Sequence, residues 1–403
     1  MNDLSTLPLF LFSPLAIIGA GLLLSQMFGV LLQRRGVPRL YGAVAAGLIL
    51  GVSGFGLVDG PLLNYFQELL NAASALVLFE AGRKMDLAWL WRSRAQGMAL
   101  VLGCLLRGAG AMALLVLFGL AWSEAAFIAS ILIAINPVVF TSMVSDHDAT
   151  GVATYAAANS VGLSHLVALL ALSVSLSWLR SHGVTDELPF ADQLLLQGGK
   201  LLLGAAIALL CYGVYKLASR VSRAEAGVRP GILLATLMLD LGLCSVTSSS
   251  ALLSLLLMGL LLRNAEKREN VFQAQLKTVQ DIGYALLFMT SAALVQLQQV
   301  LYWQVVLMAL LLFGARVALT RLALIPGKAW STRKKHAIAL GACSLVSFSS
   351  LVVDSSMSNA AYLSESATRL MQALLALNVL VAPAITWAGL HFAGETHEGS
   401  QQC

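Results

Sequence analysis

Charge is scarce in this chain. Of its 403 residues, 11% are Asp, Glu, Lys or Arg and 58% are hydrophobic, whereas a soluble domain carries about a quarter charged residues. That excludes a soluble globular fold for most of the sequence. Cysteine pairs are missing too: Cys104, Cys211, Cys244, Cys343 and Cys403 are widely spaced, mostly within apolar runs, with no CxxC. They read as small buried hydrophobes, not as disulfides or thiolate metal ligands. No nucleophile–base arrangement and no metal-ligand cluster stands out, so the sequence marks neither an enzyme nor a metal or cofactor site. The first residues, MNDL, are acidic where a secretory leader is basic, and the apolar run behind them is of spanning length, so a cleaved signal peptide is not expected. The net charge of +5 comes from basic residues in short loops between apolar runs, which is no pattern for binding nucleic acid.

Apolar sequence is what remains. Several runs reach the roughly 20 residues that cross a hydrocarbon core, and mean hydropathy is +0.82. The expectation is an all-α polytopic protein of the lipid bilayer. Cutting at charged clusters and at Gly/Pro/Ser breaks gives thirteen spans: 8–33, 38–57, 65–83, 95–120, 124–144, 151–179, 190–216, 229–245, 248–263, 280–296, 299–321, 336–356 and 366–391. With the N-terminus outside, 20 of the 25 Lys and Arg fall in cytoplasmic loops, and the opposite loops hold essentially Arg180. By the positive-inside bias this predicts an N-out, C-in topology, in a bacterial inner membrane. Thirteen divides as six, one and six: a first unit over 1–189, a linking helix over 190–228, and a second unit with a short cytoplasmic tail over 229–403. An even-numbered unit followed by one linking span makes the second unit enter inverted, as in many secondary transporters.

Polar interruptions of the spans carry the functional reading. Asn136 and Pro137 sit in the middle of the fifth span. Proline removes a backbone donor, and freed backbone groups in lipid must be met by protein or water. A plain proline kink is the bland alternative. The twelfth span has a polar stretch of its own, ACSLVSFSS from Ala342 to Ser350, which includes Ser347. Matched interruptions in two units point to a mid-membrane substrate site. The sixth span holds Asn159, Ser160, Ser164 and His165. A histidine at this depth exchanges a proton near neutral pH, or else simply bonds a neighbouring helix. Arg107, Asp240 and Arg316 also lie within spans, where charge is rare and functional or paired. Glu80 closes the third span, and the DHD at Asp146–Asp148 reads as a cytoplasmic turn.

Several stretches resemble the monovalent cation:proton antiporters. RRGVPRLYGAVAAGLILG (Arg34–Gly51) is similar to their basic turn and glycine-rich second helix. ALVLFEAGRKMDLAWLW (Ala75–Trp91) is similar to the third helix, and INPVVF (Ile135–Phe140) to the unwound fifth. SSSALLSLLLMGLLLRN (Ser248–Asn264) is similar to the ninth, and LLLFGARVAL (Leu310–Leu319) to the eleventh. The resemblance implies a homodimer with a scaffold of outer helices and a mobile core. That core holds two crossed discontinuous helices in an inverted-repeat fold, and it moves as an elevator. The implied activity is exchange of Na⁺ or K⁺ for protons. By the same resemblance Asn136 and Pro137 match the unwound helix, and Arg316 matches the basic residue that balances an ion-site carboxylate. The sequence departs from the family where the sixth helix has Asp-Asp or Asn-Asp, because Ser164 and His165 stand there. That leaves a second expectation open: a transport-inactive or anion-transporting homologue serving as a receptor or assembly subunit. A positive site made by Arg316 and helix N-termini favours an anion. Asn159, Arg107, Asp240 and Ser347 are the supporting candidates.

Overall fold

The computed structural model describes residues 13–58, 62, 66–181, 188–221, 228–265, 270–297, 302–325, 330–345 and 363–396. Ser347 and the end of the ACSLVSFSS stretch lie outside them. The described residues are helical, and the β pairing among them is one isolated antiparallel bridge, Ile135 with Leu345. The helices in chain order are α1 (Pro14–Gln33), α2 (Leu40–Leu50), α3 (Gln67–Arg83), α4 (Leu87–Arg92), α5 (Arg94–Leu117), α6 (Trp122–Ile133), α7 (Pro137–Asp146) and α8 (Val152–Ser181). They continue with α9 (Phe190–Val221), α10 (Arg229–Val246), α11 (Ala251–Ala265), α12 (Asn270–Ala293), α13 (Trp303–Ala323), α14 (Thr332–Gly341) and α15 (Glu365–Ala393). Seven of them are long and apolar enough to cross a membrane, and α2, α6 and α11 are shorter apolar helices. Large side chains such as Leu23, Leu105, Leu195, Leu202 and Leu310 stand exposed on their outer faces, as a lipid solvent requires.

Two packing groups emerge. In the first, α3 packs on α11 and α12, α2 on α1 and α12, and α9 on α10 and α11. Glycine sets the α3–α11 spacing. A Cβ on Gly82 would lie 2.0 Å from the Leu256 carbonyl, and one on Gly259 2.0 Å from that of Phe79, so each backbone lies directly on the other. In the second group α5 packs on α6 and α13, α6 on α8, and α14 on α8, α13 and α15. The groups meet where α8 touches α3, α9 and α11 and where α15 touches α2, α7 and α12. A core of Leu76, Phe79, Ile135, Phe140, Ala157, Val161, Leu252 and Leu256 spans this boundary.

Candidate functional site

The fifth span is two helices. α6 ends at Ile133, Ala134 is extended (φ −67°, ψ 145°), and α7 begins at Pro137. The sequence dictates this locally. Pro137 occupies the first helical position, where its missing N–H costs nothing. Asn136 is the N-cap, its Oδ1 accepting from Val138 N at 3.0 Å and Val139 N at 3.3 Å. The expected interruption is therefore a break and not a kink. α14 likewise stops at Gly341, and its continuation meets the first break through the Ile135–Leu345 bridge and the Asn136 N to Ser344 O bond at 3.3 Å. The break between α6 and α7 and the segment that follows α14 meet there.

Ser164 and Asn378 help to hold the crossing. Ser164 Oγ on α8 accepts from Ile135 N at 3.0 Å and donates to Val161 O at 2.7 Å. Asn378 on α15 brackets Leu345, its Oδ1 accepting from Leu345 N and its Nδ2 donating to Leu345 O, both at 2.8 Å. Asn378 escaped the sequence reading. Its signal was a lone amide in the apolar run LALNVLVAP, of the kind that polar residues in lipid-embedded helices carry. His165 is buried beside Ser164, with Nδ1 2.9 Å from Val161 O. A carbonyl only accepts, so Nδ1 carries a proton, and in the neutral imidazole the lone pair is then on Nε2. Asn136 Nδ2, Ser160 Oγ and Ser344 Oγ are buried with no hydrogen-bond partner.

Arg316 differs from its expected role. Its Nε donates to Cys343 O at 3.1 Å, and Nη2 to Ala342 O, Ser344 O and Ala134 O at 3.2, 3.3 and 3.4 Å. Nη1 donates to Leu132 O. The acceptors are carbonyls at the C-terminal end of α6 and in the segment that directly follows α14. Each such end carries about half a negative charge, so the pair offsets roughly one guanidinium. Arg316 thus balances two helix ends where the resemblance had it balance a carboxylate.

The supporting candidates separate from this crossing. Arg107 on α5 is almost fully buried, and it donates to Thr320 Oγ1 at 3.1 Å and Cys104 Sγ at 3.2 Å. It lies close enough to Arg316 for the two charges to repel. Asn159 binds elsewhere: its Oδ1 accepts from Asp86 N at 2.8 Å, fastening α8 to the turn after α3. Asp240 lies in the first packing group, with Cys244 Sγ 3.5 Å from its Oδ1. Glu80 is engaged by Lys84 at 3.0 Å, Gln280 at 3.1 Å and Arg83 at 3.3 Å, so it stays buried and does not reach the surface.

Two cavities open at opposite ends of α3. One of about 770 Å³ is lined by Glu68, Asn71, Phe127, Leu176, Lys200 and Ser245, and one of about 490 Å³ by Arg39, Glu80, Asp146, Gln280, Asp281 and Tyr284. Asn136, Ser164, His165 and Arg316 line neither of them. Neither cavity is the crossing itself. No group of three His, Cys, Asp or Glu placed to hold a metal ion occurs among the described residues.

A membrane protein in which a helix breaks at buried polar groups against the end of a second helix has a feature of secondary transporters. The chain belongs to the transmembrane sodium/hydrogen exchanger family, which matches residues 19–388. Among solved structures it is similar to the sodium proton antiporter MjNhaP1 from Methanocaldococcus jannaschii, with 18% identity over 97% of each chain and a TM-score of 0.68. A likeness at that identity establishes the fold. Comparison with curated proteins one by one gives no match.

Proposed function

We propose that this chain exchanges a monovalent cation, Na⁺ or K⁺, for protons, with His165 carrying the proton. The observation behind this reading is the crossing itself: Ser164 and Asn378 pin the two breaks together, and His165 is the next residue along from Ser164. Arg316 is offset by the two helix ends, which leaves Arg107 as the remaining fixed positive charge nearby while His165 is neutral. A cation then gains the Nε2 lone pair and the hydroxyls of Ser160 and Ser344, and protonation of His165 removes the lone pair and repels the ion. Proton and cation compete for one group, so one proton moves per cation.

The movement we infer is elevator-like, the second packing group sliding against the first. The chain is organised as units over 1–189 and 229–403 joined by a linking helix at 190–228. It acts as a homodimer in a bacterial inner membrane, with the N-terminus outside and the C-terminus in the cytoplasm, and it is not an enzyme. One observation favours the other reading, an anion-transporting or transport-inactive homologue with a receptor or assembly role: the five acceptors bonded to Arg316 are all backbone carbonyls. The test is uptake of labelled Na⁺, and of Rb⁺ as a label for K⁺, into acid-loaded proteoliposomes. Uptake that collapses with the proton gradient supports exchange. Uptake of chloride or nitrate with no cation uptake, or no uptake at all, favours the second reading.

A further inference from the structure

Just beyond α15 the chain turns through Gly394 (φ 71°), and Glu395 reaches the start of α8. Its Oε1 accepts from Ala153 N at 2.9 Å, and its Oε2 accepts from Thr154 N at 2.7 Å and Thr154 Oγ1 at 2.8 Å. Its backbone oxygen accepts from Thr150 N at 2.9 Å. These are donors a helix start leaves without an intrahelical partner, and a carboxylate also suits the positive end of the helix dipole. A distant residue thus serves as the cap of the helix that carries Ser164 and His165. Gly151 leaves room for it: a Cβ there would lie 2.1 Å from the Glu395 carboxyl carbon and 2.4 Å from Oε1.

We propose that Glu395 is a positioning residue for transport, fastening α8 to α15 so that the Ser164 hold on Ile135 and the Asn378 hold on Leu345 keep one register. The proposal rests on the reading of the crossing as the transport site. α8 carries one clamp and α15 the other, and the two helices also touch each other directly and share α14 as a neighbour. Ser164 lies 12 residues into α8, about 18 Å along the axis. Glu395 therefore acts through the rigidity of the helices and not by touching the site.

The experiment compares Glu395→Ala, Gly151→Ala and the double variant in the full-length protein. Gly151→Ala expels the carboxylate while leaving Glu395 in place. The first readout is amide hydrogen exchange. Each single variant is expected to speed exchange at least threefold at 150–154 and also at the crossing, over 134–139 and 342–345, with the double variant no faster than either. The second is the cation concentration for half-maximal uptake, expected to rise at least threefold in both single variants, with Glu395→Gln intermediate. Faster exchange confined to 150–154, or a lower yield of folded protein with unchanged half-saturation, overturns the proposal. Should the wild-type protein move no cation, the exchange measurement still decides whether Glu395 holds the crossing, so the two readings fail separately.

Discussion

The two packing groups are built with different chemistry. α3 and α11 approach through Gly82 and Gly259, backbone on backbone, with carbonyls where side chains would otherwise stand. The crossing of α6, α7 and α14 is held by directed hydrogen bonds from Arg316, Ser164 and Asn378. Glycine packing in lipid gains from close dispersion contact and has one good arrangement. A polar crossing is different: its freed backbone groups are satisfied by side chains whose loss leaves them bare. The first group is suited to be a fixed wall. The second gathers backbone polarity in a buried interior, which a substrate site needs and which a plain bundle avoids.

That contrast predicts an ordered series of effects. The largest is at Arg316. Arg316→Leu strips the carbonyls at two helix ends of their donors and is expected to cost about 3–5 kcal/mol. It should abolish cation uptake and lower the melting temperature in detergent, and Arg316→Lys should recover only part of the stability. A normal melt for the leucine variant would break the account of the helix ends. Asn378→Leu leaves Leu345 N and O unpaired, at roughly 1–3 kcal/mol for each unsatisfied group. Its expected signature is faster amide exchange at Leu345 together with weaker cation affinity. Gly82→Ala tests the wall. Overpacking against the Leu256 carbonyl costs about 1–3 kcal/mol and lowers the melting temperature, while half-saturation by cation stays at the wild-type value because the crossing is untouched.

The smallest effect is one of pH, at the turn after α3. Burial pushes the Asp86 carboxyl up. Hydrogen bonds from Tyr155 and Trp89 N and the charge of Arg263 outweigh it, leaving the group below the usual carboxylate range. A carboxylate lowered by folding contributes stability that is present above its unfolded value, about 3.9, and is lost as pH falls through the folded value. Asp86→Asn should therefore melt below wild type at neutral pH, and the difference should close as the medium is acidified below about pH 4. A gap that persists into acid would assign the Asp86 contribution to shape instead of charge.

Much of this was legible in the chain. Scarce charge and long apolar runs determine the class, and Asn136-Pro137 marks a helix start in mid-span because cap and proline chemistry are local. The polar stretch from Ala342 marks where α14 stops, and its end lies outside the described residues. The role of Arg316 was not legible. Its five acceptors are the backbone carbonyls of Leu132, Ala134, Ala342, Cys343 and Ser344, and backbone acceptors leave no trace in residue identity. Asn159 and Asp240 looked like site residues because buried polarity is visible in sequence, while its direction is not. Asn159 faces the Asp86 turn and Asp240 the α9–α11 side. Glu395 stood in a polar tail with no local pattern, and only the fold brings it to Gly151 and Thr154.

The most direct test of the central claim is proton flux in sealed proteoliposomes carrying a pH-sensitive dye, challenged with Na⁺, K⁺ and Li⁺, for wild type, His165→Ala and His165→Asp. The account predicts cation-triggered flux in the wild type, its loss in His165→Ala and its retention in His165→Asp. Flux that survives in His165→Ala, or that is absent from the wild type and present only in His165→Asp, would contradict a proton carried on His165.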